Sequence, residues 1–177
     1  MNDGPFFDTD VILYAFRKDD ARSQAAEELL AAGGTTSVQV LNEFAAVARR
    51  RLDKNWREIR RALDVVRVFC PEPVALSVEI HERGLDVAER YGYSIFDALV
   101  IAAAIHSGAG VLYSEDMRDG QSIEGVTIRN PFWCDQRIAF QAARAAAKVT
   151  GPSSDARVLG FIRMGWLGAT FCTQRSA

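Results

Sequence analysis

Short apolar segments ending on polar residues alternate with stretches long enough for helices, and this alternation limits the possible folds sharply. Pro5-Phe6-Phe7-Asp8 predicts a short buried strand that stops at a carboxylate. Asp10 to Phe16 predicts a first helix, and Asp19 and Asp20 offer caps for a second over Ala21 to Ala32. Gly33-Gly34 would end that helix by supplying positive φ. Thr35-Thr36-Ser37 predicts a strand running into a cap, and the helix after it places Leu41, Phe44, Ala45, Ala48 and Leu52 on one stripe. Trp56 to Phe69 repeats the pattern, with Trp56, Ile59, Leu63 and Val66 on the apolar stripe. Beyond Pro71, Pro73 to Leu76 predicts a strand, and Ser77 caps a helix lasting to about Arg90. Ser94 caps another helix, Ile95 to His106, which Ser107-Gly108 end. Gly110 to Tyr113 and Val126 to Arg129 predict the last strands. Such an order implies an α/β fold with a mainly parallel sheet covered by helices on both faces.

With 177 residues, the chain suits one compact domain, yet its charge is unevenly placed. Residues 1–132 hold 15 Lys/Arg against 21 Asp/Glu, a net of −6, whereas residues 133–177 hold 6 against 2, a net of +4. A main domain over 1–132 and a C-terminal extension over 133–177 are therefore expected. The extension reads as an Ala-rich helical piece, Gln136 to Val149, a break at Gly151-Pro152-Ser153-Ser154, and a weak helix interrupted by Gly160, Gly165 and Gly168. Three cysteines without CxxC spacing give neither a zinc site nor a disulfide framework. The longest apolar run, Ala98 to Ile105, is far too short to span a bilayer, and Met-Asn-Asp-Gly does not begin a signal peptide. A cytoplasmic location with no membrane partner is the expectation.

Ligand sites in open α/β sheets lie beyond the carboxyl ends of the strands. Asp8 ends the first strand and Asp10 follows it. Ser114, Glu115 and Asp116 follow Gly110–Tyr113, with Asp119 one turn on, and Asp97 lies in the first turn after Ser94. No His, Cys or Lys joins them. An all-carboxylate group repels itself unless protonated or bound to a hard cation, and Mg²⁺ or Mn²⁺ meets that need. Asp97 is the most informative, because the helix from Ile95 to Ile105 is otherwise apolar on all sides and reads as buried. Ser94-Ile-Phe-Asp97 also matches a capping box, a role compatible with metal binding. A strand-end turn is the lesser alternative for Asp8, whereas Glu115, Asp116 and Asp119 read nearly as well as a solvated acidic turn, and Glu43 reads equally as an ordinary surface glutamate.

Taken together, these residues resemble the PIN-domain family, and within it VapC-type toxin ribonucleases of bacterial type II toxin–antitoxin systems. The resemblance covers about residues 5–132. It is carried by Phe6-Phe7-Asp8-Thr9-Asp10-Val11-Ile12-Leu13-Tyr14, by Ser37 through Asn42-Glu43-Phe44, by Ser94-Ile-Phe-Asp97-Ala-Leu-Val-Ile-Ala-Ala-Ala, and by Val111-Leu-Tyr-Ser-Glu-Asp116-Met. It implies a three-layer fold with a five-stranded parallel sheet. It also implies four acidic catalytic positions at Asp8, Glu43, Asp97 and Asp116, with Ser114 as the small polar residue beside the last. Asp8, Asp97 and Asp116 would hold Mg²⁺ (or Mn²⁺), and Glu43 would complete the cage or position the attacking water. Asp10 stands where the family usually has Asn or Ser, so it joins Ser114 and Asp119 as a secondary site residue.

The resemblance further implies endonucleolytic cleavage of RNA, a homodimer and an inhibitory antitoxin. Arg49, Arg50, Arg51, Lys54 and Arg57 open a basic run reaching Arg67 that contains only Asp53, Glu58 and Asp64 as acids. This run is a candidate RNA contact, a solvated face or a partner surface. Two other functions fit parts of the pattern. Asp8-Thr-Asp10-Val11 matches the nucleophile motif of haloacid-dehalogenase-like phosphatases, for which Lys54 is the one plausible lysine. A PIN-like module that binds RNA or protein without catalysing is the other.

Overall fold

The computed structural model describes residues 4–17 and 21–133, and the predicted extension and the Asp19/Asp20 caps lie outside these residues. Strand β1 (Phe6–Phe7) is followed by helices α1 (Thr9–Ala15), α2 (Ala21–Ala31), α3 (Val38–Arg51), α4 (Trp56–Phe69), α5 (Val78–Tyr91) and α6 (Ile95–Ser107). Strands β2 (Val111–Tyr113), β3 (Ser122–Ile123) and β4 (Val126–Arg129) close the order. Residues with short polar side chains start the helices, at Ser37, Ser77 and Ser94 as the sequence predicts and at Asp8 and Asn55 beyond that prediction. The side chains of Ser37, Asn55, Ser77 and Ser94 accept from the first-turn amides of α3, α4, α5 and α6, and Asp8 accepts from Thr9 N at the start of α1. Gly92 and Gly108 end α5 and α6 in the left-handed conformation.

The strands form one sheet in the order β1-β2-β4-β3. β1 pairs with β2 and β2 with β4 in parallel, while β3 pairs with β4 antiparallel. The mainly parallel α/β sheet is therefore present, but its strand list departs from the five predicted. Thr35 and Val74 are reduced to single parallel bridges, Phe6 to Thr35 and Ser37 to Val74. Ser37 is already spent as the cap of α3, and Pro71 and Pro73 lack the N–H that would extend pairing around Val74. β3 was not predicted; it folds back on β4 through Glu124-Gly125, both at positive φ (48° and 91°). That pair suits a tight two-residue hairpin, but a glutamate in the left-handed region is a weak sequence signal.

β1 lies between Thr35 and β2, and both its phenylalanines are fully buried, as a strand covered on both faces requires. α6 is buried from Ala98 through Ala104 and packs against α3, α5, β2 and β4. A Cβ on Gly84 of α5 would stand 2.8 Å from Leu99 Cδ2, so the close α5–α6 approach depends on that glycine. Phe44, Ala48, Ile59 and Val66 are buried from α3 and α4 as their stripes predict, and Ala62 is buried beside them. Trp56 is not: it is 60% exposed at the first position of α4. The stripe's period places Trp56 above Ile59 and Leu63, but one turn earlier the helix has left the core. No described helix is long and apolar enough to cross a membrane.

Candidate active site

Parallel pairing of β1 and β2 sets Phe7 beside Tyr113, so the residues that follow each strand emerge together at one edge. Asp8 N donates to Tyr113 O (3.0 Å) and Ser114 N to Arg129 O (3.0 Å), which fixes both residues at that edge. Ser114 is fully buried; its hydroxyl hydrogen-bonds to Asp8 and lies 3.5 Å from Asp10 Oδ2. Asp10 Oδ2 accepts from the Glu115 amide, and Asp10 also accepts from the Asp116 amide. The loop after β2 is thereby clamped to the first turn of α1.

Glu43 joins from α3. Thr9 Oγ1 donates to Glu43 Oε2 (3.0 Å), and buried Gln39 donates to Glu43 Oε1 (2.7 Å). Glu43 is accordingly a half-buried, oriented carboxylate and not a solvated one. Neither Thr9 nor Gln39 stood among the predicted site residues. Thr9 lies between two acids and Gln39 is one turn before Glu43, so spacing alone could have suggested both.

Burial is the largest influence on the two N-terminal acids. It pushes Asp8 up to about 8, with the charges of Asp10 and Glu43 raising it further against the lowering hydrogen bonds from Ser114 and Thr9 N. Asp10 is pushed up to about 6 by burial and by Asp116, opposed by amide hydrogen bonds from Glu115, Val11 and Asp116. These mutual influences place Asp8, Asp10, Glu43 and Asp116 within one electrostatic neighbourhood.

Asp97 occupies a different position. α6 ends just before β2 and packs along it, so the helix runs antiparallel to that strand. A helix of this length spans ~20 Å against ~10 Å for three strand residues, so its first turn overreaches the strand's carboxyl edge. Asp97 lies in that first turn, half-exposed and not buried as its apolar helix predicts. Its carboxylate accepts from the Ser94 hydroxyl (2.8 Å), and Ser94 Oγ accepts from Asp97 N (3.2 Å). No hydrogen bond in the described residues joins it to the Asp8–Asp10 group.

The remaining acids lie in the loop after β2. Asp116 is exposed, and Asp119 Oδ1 accepts from Asn130 N (2.8 Å), holding the loop to the end of β4. Glu115 pairs with Arg22 (2.6 Å), whose guanidinium also covers the Tyr14 ring at 4.2 Å. Arg49 lies beside Asp53, and Lys54 beside Glu58 at 3.5 Å, on the turn from α3 to α4. Burial pushes the Cys70 thiol up to about 12, so it supplies no nucleophile.

Among the described residues, no three carboxylate, imidazole or thiol groups are spaced as a finished metal cage. The donors nevertheless suit Mg²⁺. They are oxygens, two are held by burial and mutual repulsion in need of a counter-charge, and Mg²⁺ is commonly bound by one or two carboxylates with water and substrate phosphate completing its shell.

A parallel α/β sheet with an acidic, oxygen-only site at its carboxyl edge defines a class in which hard cations and phosphates are the natural ligands. Within that class the chain belongs to the PIN domain family, whose model matches residues 6–119. Among solved structures, a toxin–antitoxin complex from Klebsiella pneumoniae is 21% identical, with a TM-score of 0.56, over 72% of this chain and 98% of that one. VapBC2 from Rickettsia felis, bound to a DNA fragment from its promoter, is 20% identical, with a TM-score of 0.51, over 71% and 97%. VapC20 from Mycobacterium tuberculosis, a sarcin–ricin loop cleaving toxin, is 23% identical, with a TM-score of 0.50, over 61% and 86%. These are likenesses of fold. No match is found among curated proteins.

Proposed function

We propose that this protein is a divalent-metal-dependent endoribonuclease, and the toxin of a toxin–antitoxin pair. The observation that carries the reading is the burial of Asp8 and Asp10 side by side at the carboxyl edge of a PIN domain, where both are held well above the ordinary carboxylate range. A fold pays stability for such a pair, and active sites are where that cost recurs.

Bound Mg²⁺ (or Mn²⁺) would neutralise the scissile phosphate and make the attacking water more acidic. Asp8, Asp97 and Asp116 are the proposed ligands, with Asp10 beside them. Thr9 and Gln39 hold both oxygens of Glu43, which leaves that carboxylate oriented to place a water molecule. Ser114 ties Asp8 and Asp10 together from the floor of the site. RNA as substrate and an antitoxin partner are supported by the resemblance and by the toxin–antitoxin structures of like fold, and a homodimer by the resemblance alone. Residues 1–132 are proposed to suffice, so a chain ending at Trp133 should retain cleavage.

The phosphatase alternative is poorly served. It needs a lysine beside Asp8, whereas Lys54 lies on the α3–α4 turn paired with Glu58. Incubating the protein with structured RNA and with p-nitrophenyl phosphate, in Mg²⁺ or EDTA, separates the readings. RNA cleavage that requires Mg²⁺ and falls at least about a hundredfold in Asp97→Asn is expected. Ser94→Ala removes the α6 cap, worth about 1 kcal/mol, and the hydroxyl from which Asp97 accepts, but it keeps the Asp97 carboxylate and should retain far more cleavage than Asp97→Asn. Equal cleavage by Asp97→Asn and wild type would remove Asp97 from the site; hydrolysis of the small phosphate ester alone would favour the phosphatase.

A further inference from the structure

We propose that Trp56 is a stacking platform for an unpaired base of RNA, held on a rigid turn among guanidinium groups that contact the phosphates. The inference rests on the ribonuclease reading and extends it to how a strand is gripped. Trp56 is 60% exposed and leaves a large, flat aromatic surface in water, and its setting among cations gives that surface a use. The surrounding chain holds it firmly. Asn55 Oδ1 accepts from the amides of Arg57 and Glu58 (3.0 Å each), and Glu58 Oε2 accepts from Asn55 N (2.9 Å). This reciprocal box fixes the first turn of α4, so Trp56 is displayed on helical backbone and not on a loose loop.

The charges around it are predominantly positive. The nearby acids Asp53 and Glu58 lie against Arg49 and Lys54. Arg50, Arg51, Arg57, Arg60 and Arg61 are exposed and make no ion pair among the described residues. Packing of α3 on α4 brings the end of the first helix and the start of the second to one tip. The other end of α4 is fixed at the opposite edge of the sheet from Asp8, because Gly34 N, just before Thr35, donates to Phe69 O (3.2 Å). Trp56 therefore lies ~20 Å along α4 from that edge. An aromatic face framed by unpaired cations is the combination by which single strands are held: bases stack, and phosphates are neutralised. A duplex offers no free base face, so the preference is for single-stranded or looped RNA.

The test uses the full chain in EDTA, where no cleavage occurs, with Trp133 and Trp166 replaced by Phe so that Trp56 alone fluoresces. The probes are an unstructured 12-nucleotide RNA and the same RNA annealed to its complement. Expected are quenching of Trp56 by the single strand, affinity lowered at least about fivefold by Trp56→Ala and largely kept by Trp56→Phe, and a shallower salt dependence in Arg57→Gln. In Mg²⁺, wild type should cut this RNA with a lower KM than Trp56→Ala and a similar kcat. Equal RNA affinity of Trp56→Ala and wild type, or equal affinity for duplex and single strand, overturns the proposal. Loss of a co-purifying protein from Trp56→Ala with RNA binding intact also overturns it, in favour of a protein-docking surface. Failure of wild type to cut any RNA, with stacking intact, sinks the ribonuclease reading and leaves the binding site standing.

Discussion

Asp8→Asn should lose RNA cleavage by at least about a hundredfold and yet melt at a higher temperature than wild type at pH 8. Both effects follow from the same burial. A neutral amide cannot supply the charge that a divalent cation requires, so the chemistry fails. The folded chain, however, is relieved of a carboxylate that burial, Asp10 and Glu43 together push up to about 8. In the unfolded chain an aspartate titrates near ~3.9. Between those values the folded protein keeps a proton that the unfolded protein has released, so wild-type stability is full below about pH 4 and falls as pH rises towards 8. Every pH unit that separates the folded from the unfolded titration corresponds to ~1.4 kcal/mol, which makes a penalty of a few kcal/mol at pH 8 the expected scale. Thermal melts of both proteins at pH 4 and pH 8 check this: the curves should converge at the lower pH and separate at the higher. Mg²⁺ should raise the melting temperature of wild type at pH 8 and that of Asp8→Asn much less. A variant destabilised at both pH values would mean that Asp8 serves the fold and not the chemistry.

The opposition between stability and function at Asp8 also explains why the site was partly legible in the sequence. Asp8, Asp10, Ser114 and Asp116 are visible because they follow apolar strand segments, and parallel pairing must bring strand ends together. Glu43 is not visible that way. Helical period gives its direction on α3, but its partner Thr9 belongs to another helix, and only tertiary packing brings them to 3.0 Å. Asp97 misleads in the other direction. Its neighbours Ala98 to Ala104 are buried, so an apolar helix predicts a buried acid, although the first turn extends past the sheet into a half-exposed position. Trp56 fails for the same reason at the start of α4. Periodicity assigns a face to a helix but is silent on how far that helix outruns the core. Strand length is equally hidden: Thr35 and Val74 bridge at single positions because a cap and two prolines border them, and β3 depends on a Glu-Gly turn that few propensity arguments favour.

Gly34→Val should lower stability by about 3 kcal/mol or more, clearly more than Gly33→Ala at the preceding residue. The two glycines look interchangeable in sequence, where they read as one helix stop. In the structure they answer different demands. Gly33 adopts φ +80°, and a Cβ there would meet nothing closer than Phe69 O at 3.6 Å, so alanine faces left-handed backbone strain of about 1–2 kcal/mol. Gly34 has no such φ, but a Cβ would stand 2.5 Å from Pro5 O and 2.6 Å from the Phe7 ring. The first of those atoms is backbone and accepts the Thr35 amide at 2.8 Å, so it cannot yield without opening the bridge beside β1. The second is a fully buried ring stacked on Tyr113, with centroids 6.2 Å apart. For a domain of this size each kcal/mol moves the melting temperature by about 3–5 °C, so Gly34→Val should fall by at least ~10 °C. Because Phe7 leads directly into Asp8, the displaced strand end should also weaken RNA cleavage, measured well below the melting temperature. Gly33→Ala, strained but with an unobstructed Cβ, should leave cleavage unchanged. If the two variants proved equally stable, both glycines would be serving conformation, and the contact at Gly34 would carry no weight.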